Sequence, residues 1–170
     1  MADANSGNQD PAKLLPAATL TAVVSGREIS LREEGVPLVL VFHAQDTAPD
    51  AVEVNKAVRR IHPDPAEVLV ASVIDLQSFP SMFRGMVKGE LEKAYHNAAG
   101  RVPEGNDPAD HVVLLPDWDG SVFAALDIKN ANAQAAVVVA DRQGRILFQA
   151  QANDHEDDLG TLAVEALRNL

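Results

Sequence analysis

The chain has no cysteine at all, and among its 170 residues it holds one tryptophan, one tyrosine and five phenylalanines. Without a thiol there is no disulfide, no thiolate nucleophile and no zinc–thiolate site. Few aromatics mean that the core is built from small and β-branched side chains, chiefly Ala, Val and Leu. Basic residues are scarce as well: 14 Lys and Arg stand against 25 Asp and Glu, a formal charge of −11. Such a surface repels phosphates, and no dense run of Lys or Arg interrupts it, which argues against nucleic acid or an anionic membrane as partner. No apolar run approaches the roughly 18 residues that span a bilayer. The stretch LLPAATLTAVV (residues 14–24) is short and broken by Pro16, and the acidic, polar residues before it do not resemble a signal peptide. The expected location is cytoplasmic.

What is present is an ordinary globular composition, 46% apolar and 23% charged, in a length suited to one domain. Residues 1–15 read as a flexible tail and residues 16–170 as a single domain. TLTAVVSGREISL (residues 19–31) alternates on both sides of Ser25-Gly26 and predicts a β-hairpin. VPLVLVF (36–42) is a near-continuous apolar run with a proline at its start, as a covered central strand requires. Ala51, Val54, Val58 and Ile61 recur at helical spacing, and the prolines of HPDP stop that helix. EVLVASVIDL (67–76) predicts a second buried strand. Residues 80–99 predict a longer helix whose stripe runs through Phe79, Met82, Phe83, Met86, Leu91, Ala94, Tyr95 and Ala98. GRVPEGNDPAD (100–110) reads as a loop, HVVLLPD (111–117) as a third strand, and residues 117–128 as a turn into a short helix. AAVVVADRQGRILFQAQ (135–151) is a hairpin with Gly144 at its turn, and residues 154–170 close as a helix with an acidic first turn. Strands alternating with helices and followed by a hairpin give an α/β domain with a mixed sheet and helices on both faces.

In that order the segments resemble the thioredoxin-like fold, in the version used by peroxiredoxins and membrane-anchored thiol–disulfide oxidoreductases. ATLTAVVSGREISL resembles the opening hairpin, GVPLVLVFHA the central strand, LLPDWDGSVFAALDI the segment before the last hairpin, and VVVADRQGRILFQ that hairpin. The resemblance covers residues 17–170 and implies a central mixed β-sheet, helices on both faces and an N-terminal β-hairpin. It implies that the Phe42-His43-Ala44 strand end leads through Gln45 and Asp46 into a Cys-x-x-Cys position. Thr47-Ala48-Pro49-Asp50 stands there, with Thr47 at the first cysteine, Asp50 at the second and Pro49 between them. On the peroxiredoxin spacing, Asp50 falls at the catalytic cysteine. The family's cis-proline should fall near Gln134 or Ala135, yet the chain has no proline after Pro116. Thiol–disulfide exchange and thiol peroxidase chemistry need a thiolate, so the resemblance implies a member that has lost both.

Thr47 followed three residues later by Asp50 fits a helix-capping pattern, with the Thr47 hydroxyl on the backbone N–H near Asp50 and a carboxylate in the first turn. Such a cap contributes about 1 kcal/mol. The resulting expectation is a non-redox binding protein with the turn His43, Asp46, Thr47, Pro49 and Asp50, together with Gln134 and Ala135, as candidate recognition surface. The alternative is a hydrolase-type enzyme, with Thr47 as nucleophile and His43 as base, or a small-ligand binder at the helix start. No catalytic residue, cofactor or metal site is expected. NDHEDD (153–158) reads as a capped helix start, DWDG lacks the spacing of a calcium loop, and His62, His96 and His111 stand singly. Met82, Phe83, Gly85, Met86 and Gly89 on the long helix form a candidate interaction surface. Two interior glycines cost about 1 kcal/mol each, and close helix packing could offset that cost. The stripe either packs on the domain's own sheet or meets a protein partner, a second copy included.

Overall fold

The computed structural model describes residues 13–152 and 158–170. Two short strands, β1 (Thr19–Thr21) and β2 (Glu28–Ser30), form an antiparallel hairpin in which Leu20 pairs with Ile29. Its turn carries Val24 and Gly26 at positive φ, so the predicted Ser25-Gly26 turn is in place. The main sheet has five strands: β3 (Leu38–His43), β4 (Leu69–Asp75), β5 (Leu114–Asp117), β6 (Ala136–Ala140) and β7 (Ile146–Gln151). Their spatial order is β5-β4-β3-β6-β7. β3, β4 and β5 run parallel, while β6 and β7 are antiparallel to their neighbours. The mixed α/β sheet with its N-terminal hairpin is therefore as predicted.

Among the described residues the α-helices are α1 (Ala48–Ile61), α2 (Arg84–Ala99), α3 (Pro108–His111) and α4 (Ser121–Ala125) between strands, and α5 (Leu159–Leu167) after the last strand. Side chains on a strand alternate between faces, and the alternation of β3 divides the core. Val39 and Val41 pack with Ala51, Val54 and Val58 of α1 and with Leu159, Ala163, Ala166 and Leu167 of α5. Leu38, Leu40 and Phe42 pack with Ile29 and Leu31 of the hairpin side and with Val122 and Phe123 around α4. Phe42 and Phe123 meet edge to face, 5.1 Å between centroids. α2 lies on the α1 side, where Val87 and Leu91 meet Ile74 and Leu76, because Ile74 shares its face of β4 with Val70.

Several elements differ from the sequence reading. Leu15, placed by the sequence reading in a tail over residues 1–15, is fully buried: its N–H donates to the Gly144 carbonyl (2.8 Å), and Leu14 bridges to Arg145. Residues 1–12 lie outside the described residues. Within the expected loop at 100–110, α3 is capped by Asp107, whose carboxylate accepts the Ala109 N–H. Its Pro108 start and Asp cap were visible in sequence, but four residues give no periodicity. α5 starts at Leu159 rather than near residue 154. Its first turn holds no acidic residue, and Asp158 caps it by accepting the Thr161 N–H at 2.8 Å. The remainder of NDHEDD lies outside the described residues.

The largest difference concerns α2. Its buried side chains are Val87 and Tyr95 alone. Met82 is 80% exposed and Met86 62%, with Phe83 at 43% and Phe79 at 38%. The helix starts only at Arg84, so Phe79 precedes it and Met82 and Phe83 lie in a 3-10 turn (Ser81–Phe83) before it; on α2 itself Leu91 and Tyr95 turn inward with Val87, whereas Met86 turns outward. Ile61 at the end of α1 is likewise half exposed.

Candidate functional site

β3 delivers a fully covered strand to one end of the sheet and stops at His43, which is itself buried. The chain then turns through Ala44, Gln45 and Asp46 and enters α1 at Ala48, with Pro49 in the first turn. Parallel neighbours end at the same side, so the segments leaving β4 and β5 flank this turn. Open α/β sheets place ligands outside the carboxyl ends of their strands, and here three such ends converge. Because β6 is antiparallel to β3, the approach to β6 through residues 131–135 also arrives here.

Thr47 occupies the N-cap position of α1, yet its side chain makes no cap hydrogen bond. This corrects the capping expectation. The hydroxyl instead accepts the Ala44 N–H at 3.0 Å and donates to the Ala131 carbonyl at 2.5 Å, 84 residues further along the chain. A buried backbone N–H and a buried carbonyl compete more strongly for a buried hydroxyl than a helix end that can satisfy itself by other means. That is what happens: the Asp50 N–H donates to the Thr47 carbonyl at 3.1 Å and the Ala48 N–H to the Gln45 carbonyl at 3.4 Å. Thr47 therefore ties the turn to the approach to β6.

His43 places Nδ1 2.9 Å from the carbonyl of Ala44. A carbonyl only accepts, so the proton sits on Nδ1 and Nε2 is left as acceptor. Burial lowers the imidazole pKa; the Ala44 hydrogen bond and the charge of Asp50 oppose this only in part. His43 is thus neutral at pH 7. The Thr47 hydroxyl directs its hydrogen to Ala131, not to His43. Asp46, Pro49 and Asp50 are exposed around these two buried groups.

Gln134 and Ala135 do stand opposite the turn's strand, just before β6, but neither meets Thr47. Ala135 is fully buried and its carbonyl accepts the Ala152 N–H (2.8 Å), while the Gln134 N–H donates to Asn130 (3.0 Å). Every peptide bond among the described residues is trans. Sequence reading missed Ala131, since nothing in an alanine announces a carbonyl partner 84 positions away. It also passed over Asp117, which pairs with Asp75 across β4 and β5 and is 1% exposed. Its carboxylate accepts the N–H groups of Val122 and Phe123 at 3.0 and 3.2 Å. Burial raises its pKa, with those two hydrogen bonds acting the other way. An acid four residues before a short helix was the available signal.

Phe79 and Phe83 follow β4 and are partly exposed, and Arg84 lies over the Trp118 ring at 5.2 Å. Among the described residues no three of His, Asp and Glu come together as metal ligands, and no helix is long and apolar enough to cross a membrane.

Neither a family model nor a curated protein matches the chain. Solved structures do. MTB dsbF, in mixed oxidized and reduced forms, is similar at 20% identity and a TM-score of 0.56, covering 92% of this chain and 99% of its own. A putative protein disulfide isomerase from Bacteroides thetaiotaomicron gives 18% identity and a TM-score of 0.60, over 92% and 87% of the two chains. The exposed lipoprotein thioredoxin of Streptococcus pneumoniae gives 16% and 0.56, over 90% and 98%. At such identities the likeness establishes architecture, and the residues establish that no thiol stands anywhere in it. The chain is a cysteine-free protein of the thioredoxin-like fold.

Proposed function

We propose that this is a non-redox binding protein whose recognition surface is the sheet end formed by the β3–α1 turn and the segment after β4. The observation that carries this reading is the double use of the Thr47 hydroxyl. At the place the resemblance gives to the first cysteine, the side chain serves two backbone groups inside the protein, while Asp46, Pro49 and Asp50 of the same turn, and Phe79 and Phe83 after β4, are exposed. On the peroxiredoxin correspondence the thiol position holds Asp50, an exposed carboxylate, and the conclusion is the same. Such an end offers charge and apolar surface to a partner and offers no free nucleophile. The enzyme reading gains nothing from a hydroxyl already donated to Ala131. The small-ligand reading loses two helix-start N–H groups to turn carbonyls. The expected partner is another protein, and the expected compartment the cytoplasm, which cell fractionation checks.

The test is capture of partners from the source lysate on the immobilised protein and on a folded variant carrying Asp46→Arg and Asp50→Arg. A partner that binds the wild type and weakens at least about tenfold with the variant supports the reading. Equal retention on both columns, or no specific retention, contradicts it.

A further inference from the structure

We infer that Met82 and Met86 form a reversible oxidation site, at which a hydroperoxide turns the apolar surface after β4 into a polar one without unfolding the domain. For its consequence, the release of a partner, this rests on the binding-protein reading; the chemistry itself is tested without a partner.

The first observation is where the sulfur lies. The chain has three methionines and no cysteine, so beyond Met1 every sulfur atom belongs to Met82 or Met86. Methionine is among the residues most often fully buried. Here the two are instead the most exposed large apolar side chains among the described residues, Met82 at 80% and Met86 at 62%. Neither belongs to a core cluster. They stand four residues apart, Met82 in the 3-10 turn Ser81–Phe83 and Met86 in the first turn of α2. Both thioethers are open to a small solute, and neither is needed to hold the fold.

The second observation is what an added oxygen changes there. A hydroperoxide transfers its terminal oxygen to the sulfur lone pair. An S–O bond forms, the O–O bond breaks, and with hydrogen peroxide the other oxygen leaves as water. The sulfur loses two electrons and the peroxide gains them. A thioether has no proton to give up, so no base is required and access decides which sulfur reacts. Hydrogen peroxide is uncharged, so a chain at −11 does not repel it.

The product is a polar, chiral side chain in place of a flexible apolar one. The two new oxygens lie in the stretch that also exposes Phe79 and Phe83, where a partner burying apolar surface would have to desolvate them. Reduction reverses the change: a methionine sulfoxide reductase removes the oxygen as water while two thiols of its reductant become a disulfide. The redox couple is then carried by thioethers, in a chain without a thiol.

The test treats the purified protein with hydrogen peroxide, stops the reaction with catalase, and follows it by peptide mapping, urea unfolding and hydrophobic-interaction chromatography. The wild type should gain one oxygen on Met82 and one on Met86 at the rate of a short methionyl peptide, keep its urea midpoint and elute earlier. Sulfoxide reductases with dithiothreitol should restore both mass and elution. A Met82→Leu, Met86→Leu variant keeps the apolar surface and should elute alike before and after peroxide. Sulfurs that react only once urea has unfolded the chain overturn the inference, as does a lowered urea midpoint or an elution shift that the double variant shares. Against a partner that the Asp46→Arg, Asp50→Arg variant weakens, oxidation should weaken the wild type at least about tenfold and leave the double methionine variant unchanged. A partner lost with the arginine variant yet held after oxidation overturns the inference and spares the sheet-end reading. One held by the arginine variant contradicts that reading alone, since the sulfoxide chemistry is read without it.

Discussion

Replacing Thr47 by valine removes one hydroxyl that serves two backbone groups at once. The Ala44 N–H and the Ala131 carbonyl would both be left without their partner in a buried place. We expect Thr47→Val to cost about 1–3 kcal/mol in urea unfolding, with Thr47→Ser losing much less. A cap role would give a different pattern, since the helix start already satisfies itself through the Thr47 and Gln45 carbonyls. His43 carries the pH prediction. Its folded pKa is lowered, first by burial, so the unfolded chain takes up a proton before the folded one does. Stability contributed by neutral His43 is then present above about pH 6.5, the ordinary histidine value, and is lost as pH falls below it. Thermal melts between pH 7.5 and 5.5 should show this loss in the wild type, and His43→Gln should show less of it.

Elements with regular patterns were legible. β3 and β4 announced themselves as apolar runs, and α1 by its 3.6-residue spacing before HPDP. The last hairpin was legible through Gly144, which adopts φ 76° and places its Cα against the Arg32 backbone, where an added Cβ would lie 3.0 Å from Arg32 Cα. What the pattern did not hold was orientation on α2. A helix with apolar residues on more than one side gives spacing without saying which side meets the sheet, and only the position of Ile74 and Leu76 decides it. The candidate turn was legible as a place, through His43, Thr47 and Asp50. Its wiring was not, because the Thr47 bond to Ala131 depends on two segments brought together by strand order. Asp141 at the start of the closing hairpin makes a further expectation concrete. Burial disfavours its charge, but the Arg145 and Gln143 N–H groups and the Arg145 guanidinium hold its pKa below the usual carboxylate value. The stability it contributes is present above about pH 4 and lost as pH falls through the folded pKa. Asp141→Asn should cost about 1–3 kcal/mol at pH 7 and much less near pH 3, read by urea unfolding at the two pH values.

For the molecule as a whole, the sheet, its hairpin and the helices are those of the thioredoxin-like fold, and no thiol stands at any position. The core of Val, Leu and Ala that holds the fold needs no thiol, and fold alone does not assign function. At the sheet end Asp46, Pro49 and Asp50 are exposed while the Thr47 hydroxyl is committed inward. The most direct test is the affinity of a purified, captured partner for the wild type and for the Asp46→Arg, Asp50→Arg variant, measured side by side by calorimetry. A dissociation constant at least about tenfold weaker for the variant, with an unchanged melting profile, is the predicted result. Equal affinities would place the partner elsewhere and contradict the assignment of this end as the binding surface.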